Sequence, residues 1–233
     1  MKIKKHIAVI TGDIVNSSLL NENQRATIQE RFAELTKKDA LLNLKFYRGD
    51  SFQVAVKPET ALLLALKFRV ELKRMNENND VRVSVGIGEV STWNEDVLLT
   101  EGTAFERSGK KLDELKKKGL RIVITTGRPE LDEELETYCY MADSLIKNLT
   151  SVQSNVIIHK LEWMLREQIG EVSSTAEGTA ATTTLMPQEQ IGEILGISQP
   201  AVSKTLKAAN WKAIERFIKR YKQIIVKNYG TSE

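Results

Sequence analysis

The stretch over 188–206, QEQIGEILGISQPAVSKTL, restricts what this chain can fold into more than any other part of it. Ile191 and Leu195 fall four residues apart, about one turn of helix, and so form one apolar stripe. Gly192 leaves room for a second helix to cross closely. Gly196 permits a tight reversal, with Ile197 expected to plug the core beneath it. Ser198 is a natural N-cap, Gln199 and Pro200 suit the first turn of a following helix, and Val202 and Leu206 bury that helix. Gln199, Ser203, Lys204 and Lys207 are then left on the outward side. Amide and hydroxyl groups in the N-terminal half of such a helix match base edges, and lysines match phosphates. The spacing therefore predicts a helix-turn-helix that binds double-stranded DNA through these four residues. The competing reading is a helical hairpin used for protein contact.

Charge is distributed to suit such a partner. Residues 199–233 carry eight Lys and Arg against two Glu, a net +6, which leaves −3 on residues 1–198 of a chain whose total is +3. A basic tail on a mildly acidic body is expected where only the tail meets a polyanion, although a solvated helix face has the same composition.

The rest of the chain reads as an ordinary globular protein. No apolar run approaches the roughly 20 residues needed to span a bilayer. The apolar stretch after the basic start breaks at Thr11-Gly12-Asp13, too soon for a signal-peptide core, and reads as a first strand. A single cysteine, Cys139, cannot form an internal disulfide, which suits a reducing, cytoplasmic setting. With only two histidines besides, a dedicated zinc site is not expected. Cys139 reads as packing, Glu89 as structural, and His6 and His159 have no evident partners.

Before the basic tail the periodicities predict a strand over 7–10 and a helix over 21–38, with Ile28, Phe32 and Leu35 on its apolar face. Strands over 44–48 and 52–56 flank Gly49-Asp50 as a hairpin, and Pro58 opens a helix over 59–75 with Leu62, Leu66 and Val70 on successive turns. A strand over 81–87, a helix over 105–118, a strand over 120–125 and a helix over 129–149 follow. The first six elements run β-α-β-β-α-β, the ferredoxin-like order, and the fold class is α+β. Beyond 149 come a helix over 152–168, a small-polar stretch over 170–184 that reads as a flexible insertion, and helices from 187 onward. The last of these, over 211–226, carries Trp211, Ile214, Phe217, Ile218, Tyr221 and Ile225 on one side, to pack on the helical module or on a partner copy. The expected division is 1–149 and 150–233.

Two aspartates fall at chemically suggestive places: Asp13 directly after the first strand, and Asp50 at the hairpin tip. In a ferredoxin-like sheet the first and third strands are neighbours, so the two carboxylates converge at one end. Paired carboxylates repel unless a cation lies between them, and hard oxygen ligands suit Mg²⁺ or Mn²⁺. Asn16, Ser17 and Ser18, with backbone N–H groups ahead of a helix, are candidates to receive phosphate oxygens. Arg48 is either a phosphate ligand or half of a surface ion pair.

These residues resemble a known pattern. Asp13 with Ile14 looks like the opening of class III nucleotidyl cyclases, Gly49-Asp50 like their second metal aspartate, and VRVSVGIG over 81–88 like the strand that follows. Joined to the tail module, the whole is similar to the bacterial SatD family over nearly all of the chain. The resemblance implies metal ligation by Asp13, the Ile14 carbonyl and Asp50; Asn16, Ser17, Ser18, Arg48 and Gly49 are the candidates for holding the nucleotide. Three positions depart from the pattern. Phe46 stands where cyclases carry a base-reading Lys or Glu, and Glu106 and Lys110 stand where they carry a catalytic Asn and Arg. Lys110 retains the charge to neutralise phosphate, but not the bidentate fork. Metal and nucleoside-triphosphate binding are thus better supported than cyclisation. The expected protein is a nucleotide-responsive DNA-binding transcriptional regulator; the alternative is an active cyclase or nucleotidyltransferase whose tail serves regulation or protein contact. The cyclase resemblance, and the helix-turn-helix with its two half-sites, each imply a homodimer.

Overall fold

The computed structural model describes residues 6–170 and 186–230; the small-polar stretch expected to be a flexible insertion lies, apart from Gly170, outside the described residues. The fold is α+β, with one five-stranded mixed sheet and, among the described residues, eight α-helices.

Strand β1 spans His6–Ile14, and every residue from Ile7 onward is buried. The sequence suggested a strand over 7–10, broken at Thr11-Gly12-Asp13. Instead Gly12 continues the strand, because it lies against Phe52 and the Arg82 carbonyl, where any Cβ would collide. Asp13 is therefore a strand residue and not part of the following loop. Helix α1 (Glu22–Thr36) starts at a reciprocal capping box in which Asn21 Oδ1 accepts from the Gln24 N–H at 2.9 Å and Gln24 Oε1 accepts from the Asn21 N–H at 3.0 Å. Strands β2 (Ala40–Tyr47) and β3 (Ser51–Val56) form the hairpin. Its tip holds Arg48 and Gly49 at φ 54° and 84°, left-handed values that glycine accepts without strain and arginine does not.

Helix α2 (Ala61–Met75), strand β4 (Val81–Glu89), helix α3 (Thr103–Lys118), strand β5 (Ile122–Thr125) and helix α4 (Pro129–Lys147) complete this part. The strand order is β2-β3-β1-β4-β5; the first four are antiparallel to their neighbours and β5 is parallel to β4. Helices α1 and α2 cover one face, where Phe32, Phe46, Phe52 and Phe68 form an aromatic cluster with ring centroids 4.5–6.2 Å apart. Helix α3 covers the other face, admitted by Gly86 and Gly88, where added Cβ atoms would strike the backbone at Ala104 and Ser108.

Periodicity marked one apolar stripe on α2, yet all of its residues from Ala61 to Lys73 are buried. Of its buried charges, Arg69, Glu71 and Lys73 find hydrogen-bond partners. Arg69, fully enclosed, donates from Nε and Nη2 to the two Asp80 carboxylate oxygens at 3.0 and 2.8 Å, and its Nη1 lies 2.6 Å from Asp143 Oδ1. The reason for burial all round is helix α5 (Ser151–Gln168), which packs along the side of α2 away from the sheet.

Three helices follow: α6 (Gln188–Leu195), α7 (Gln199–Ala208) and α8 (Trp211–Tyr229). Helix α8 buries Trp211, Ile214, Phe217, Ile218, Tyr221 and Ile225, as its pattern suggested, and Ile224 besides. Its neighbours include α7 but also α4 and α2. Tyr138 and Phe217 stack at 5.9 Å, and the buried Tyr221 hydroxyl donates to the Pro58 carbonyl at 2.5 Å. One continuous apolar core thus extends from the sheet through α2 and α5 to α8.

Candidate functional site

The first candidate site lies where β1 ends and β3 and β4 begin. Register puts Asp13 directly opposite Ser51 on one side and Arg82 on the other. The Ile14 N–H donates to the Asp50 carbonyl at 3.1 Å, so the backbone itself draws the hairpin tip to the end of β1. Both predicted aspartates therefore belong to one end of the sheet.

Each carboxylate is differently engaged. Asp13 is 6% exposed; its Oδ2 accepts from Arg82 Nη1 at 3.1 Å and lies 3.5 Å from Lys116 Nζ. Its Oδ1 is buried with no hydrogen-bond partner among the described residues. Asp50 accepts from Ser17 Oγ at 2.6 Å through Oδ2 and from Ser51 Oγ at 3.3 Å through Oδ1. Tyr47 completes the surroundings. Burial pushes its hydroxyl above the ordinary range, and the negative charges of Asp13, Asp113 and Asp50 push the same way against the opposing Arg48.

Among the described residues no group of three or more His, Cys, Asp or Glu side chains is gathered as a metal cage. The donor set available to a divalent ion is two carboxylates, hydroxyls and backbone carbonyls. These hard oxygens fit Mg²⁺ or Mn²⁺, which keep several waters and need only one or two protein carboxylates when phosphates supply the rest. The unpartnered Asp13 Oδ1 is the observation that favours such a fit. Asp13, Asp50 and the Ile14 carbonyl are the groups that would hold the ion.

The other predicted residues fall as follows. Asn16 adopts a left-handed backbone (φ 55°), and Ser17–Leu19 form a separate one-turn 3₁₀ helix, so residues 16–18 are not the start of α1, whose own first turn is capped by Asn21. Ser17 instead orients Asp50, and Ser18 is exposed. Arg48 and Gly49 are exposed at the hairpin tip. Lys110 is exposed on α3; the lysine of that helix in contact with Asp13 is Lys116. Six residues separate the two, about 9 Å along the axis and on another face. Phe46 packs in the aromatic cluster and Glu106 is exposed. Arg82 and Lys116 were not anticipated. The visible signal was Arg82 standing alone as a charge within an otherwise apolar strand.

The second candidate surface is built by α6 and α7. Gly192 faces the turn backbone, where a Cβ would lie 2.6 Å from the Ile197 carbonyl, and Gly196 adopts the left-handed φ of 66° that ends α6. Ser198 occupies the N-cap position of α7 with extended backbone, but its side chain makes no capping hydrogen bond. Ile197, expected to plug the core, is 39% exposed; its backbone, not its side chain, is what packs, since its N–H donates to the Gly192 carbonyl at 2.9 Å. Val202 and Leu206 are buried, while Gln199, Ser203, Lys204 and Lys207 are all exposed. The Gln199 amide donates to Gln188 Oε1 at 2.8 Å.

Among the described residues no helix is long and apolar enough to cross a membrane. No protein-family model matches the chain, and no curated protein matches it in sequence.

Proposed function

We propose that this chain is a nucleotide-responsive DNA-binding regulator, with a ferredoxin-like, cyclase-like part that holds a metal-bound nucleoside triphosphate and a helix-turn-helix at α6–α7, as the SatD resemblance implies. The observation that carries the reading is the sorting of α7. Its apolar residues Val202 and Leu206 turn inward, and the outward set Gln199, Ser203, Lys204 and Lys207 combines base-reading amide and hydroxyl groups with phosphate-binding ammonium groups.

Charge balance supports the triphosphate. A divalent ion offsets Asp13 and Asp50, leaving Arg82, Lys116 and Arg48 to meet the phosphates. Regulation is favoured over cyclisation by Phe46, which lies in the aromatic cluster with nothing to offer a base edge. Because α5 and α8 each touch both α2 and α7, a change at the sheet has a packed route to the DNA-facing helix. A homodimer reading two half-sites is part of the proposal.

The test is selection of bound duplexes from a randomised double-stranded library. Enrichment of a defined sequence by the native chain, and none by the Lys204→Glu, Lys207→Glu double variant, supports the reading. Equal recovery by both, without enrichment, rejects it.

A further inference from the structure

Six of the eight Lys and Arg in residues 199–233 lie on α8, whereas the reading of α7 as a recognition helix uses only Lys204 and Lys207. Along α8, Lys212, Arg216, Lys219, Gln223 and Lys227 follow one another every three or four residues. At about 3.6 residues per turn they form a single stripe about 22 Å long. All five are exposed, and the opposite side of the helix, from Trp211 to Ile225, is buried against the rest of the chain.

The stripe is of one sign. Glu215 is the single acidic residue of the helix, and it pairs with Lys219 at 2.5 Å. Arg220, on the flank, is held by Glu134 at 3.0 Å. Lys212, Arg216 and Lys227 form no hydrogen bond or ion pair among the described residues. A helix face that serves solubility alone carries both signs interspersed. Here Lys212 and Arg216 stand one turn apart, a like-charge spacing that costs helix stability unless an anion lies over it. The length of the row and the buried side of the helix decide which anion. A row of about 22 Å outreaches any small anion but spans about six phosphates of one DNA strand. A membrane surface would need the apolar side of α8, which the chain's own core encloses. The row also continues from α7: Lys207 and Lys212 flank the turn over 208–210, where Ala208 and Asn210 are exposed.

We infer that α8 is a second nucleic-acid surface, laid along the phosphate backbone of duplex DNA beside the bases that α7 reads. Lys212, Arg216 and Lys227 meet phosphates, and the Gln223 amide donates to one between them. The inference rests on the DNA-binding reading of α7 and extends it: α7 supplies sequence preference, and α8 supplies affinity that is the same for every sequence.

Equilibrium binding of the full chain to a selected duplex and to an unrelated one, across a salt series, tests this. Lys212→Gln, Arg216→Gln and Lys227→Gln together are expected to lower the slope of log affinity against log salt by about 2–3. The same triple variant should weaken both duplexes by roughly tenfold or more near physiological salt, with the ratio between them unchanged. Gln is a good helix former, so the change removes charge and keeps the helix. The matched variant Lys212→Arg, Arg216→Lys, Lys227→Arg should bind as the native chain does. A native slope in the Gln variant, while the native chain binds its duplex, overturns the role of α8 and leaves the reading of α7 standing. A changed ratio between duplexes, or lost binding in the matched variant, overturns it as well. No duplex binding by the native chain takes both readings down.

Discussion

Arg82 and Asp13 face each other across adjacent strands, and the guanidinium of one donates to the carboxylate of the other at 3.1 Å. The pairing leaves one oxygen of Asp13 neutralised and the other, Oδ1, buried with no hydrogen-bond partner among the described residues. On the proposed reading, that free oxygen is the one that would meet a cation.

That arrangement predicts metal-dependent nucleotide binding. Mn²⁺ with a non-hydrolysable nucleoside triphosphate should raise Tm by several degrees in the native chain, and Asp13→Asn or Asp50→Asn should remove most of the rise. Arg82→Gln should weaken nucleotide binding while leaving Mn²⁺ alone able to bind. A full shift in both aspartate variants would exclude the site.

Arg69 carries a structural prediction. Burial raises the Asp80 carboxyl, but the Arg69 guanidinium, the Val81 N–H and Lys73 together outweigh it, and the group sits below its ordinary value. Arg69→Met leaves Asp80 and Asp143 enclosed without their counter-charge and should cost about 3–5 kcal/mol in urea unfolding. Because the Asp80 shift is downward, the stability it contributes is present above its unfolded value near 3.8 and is lost as the pH falls below it. A loss under 1 kcal/mol in the variant would contradict the account.

Asp39 behaves in the opposite sense. Burial lifts its carboxyl from 3.8 to about 6, so the folded chain holds a proton that the unfolded chain has released. Its contribution is greatest below pH 3.8 and declines as the pH rises through about 6. Asp39→Asn removes the ionisation and should stabilise the protein at pH 7 by about 1–3 kcal/mol. It should also flatten the stability profile between those limits, as calorimetry at several pH values would reveal.

How much of this was legible in the chain depends on whether the cause is local. The order of strands and helices, the capping positions and the inward face of α7 follow from spacings of two to four residues. Gly12 was misread as a strand end because the ring and carbonyl it accommodates come from β3 and β4. Arg82, Lys116 and Arg69 escaped notice for the same reason: their partners lie 69, 103 and, for Asp143, 74 positions away. The apolar stripe of α8 was evident, but periodicity gives the face and not its neighbour, and Pro58 and Tyr138 could not be foreseen as what it meets. Ile197 shows the same limit at short range, since a turn can be held by its backbone while its side chain faces water.

The central claim rests on the outward residues of α7 meeting the phosphates and bases of duplex DNA. Its most direct measurement is equilibrium binding of the full chain to a selected duplex across a series of salt concentrations. The account predicts a linear fall of log affinity with log salt, its slope reduced by about 1 for each of Lys204→Gln and Lys207→Gln. Binding that ignores both salt and these two substitutions, or no binding to duplex DNA at all, would contradict it.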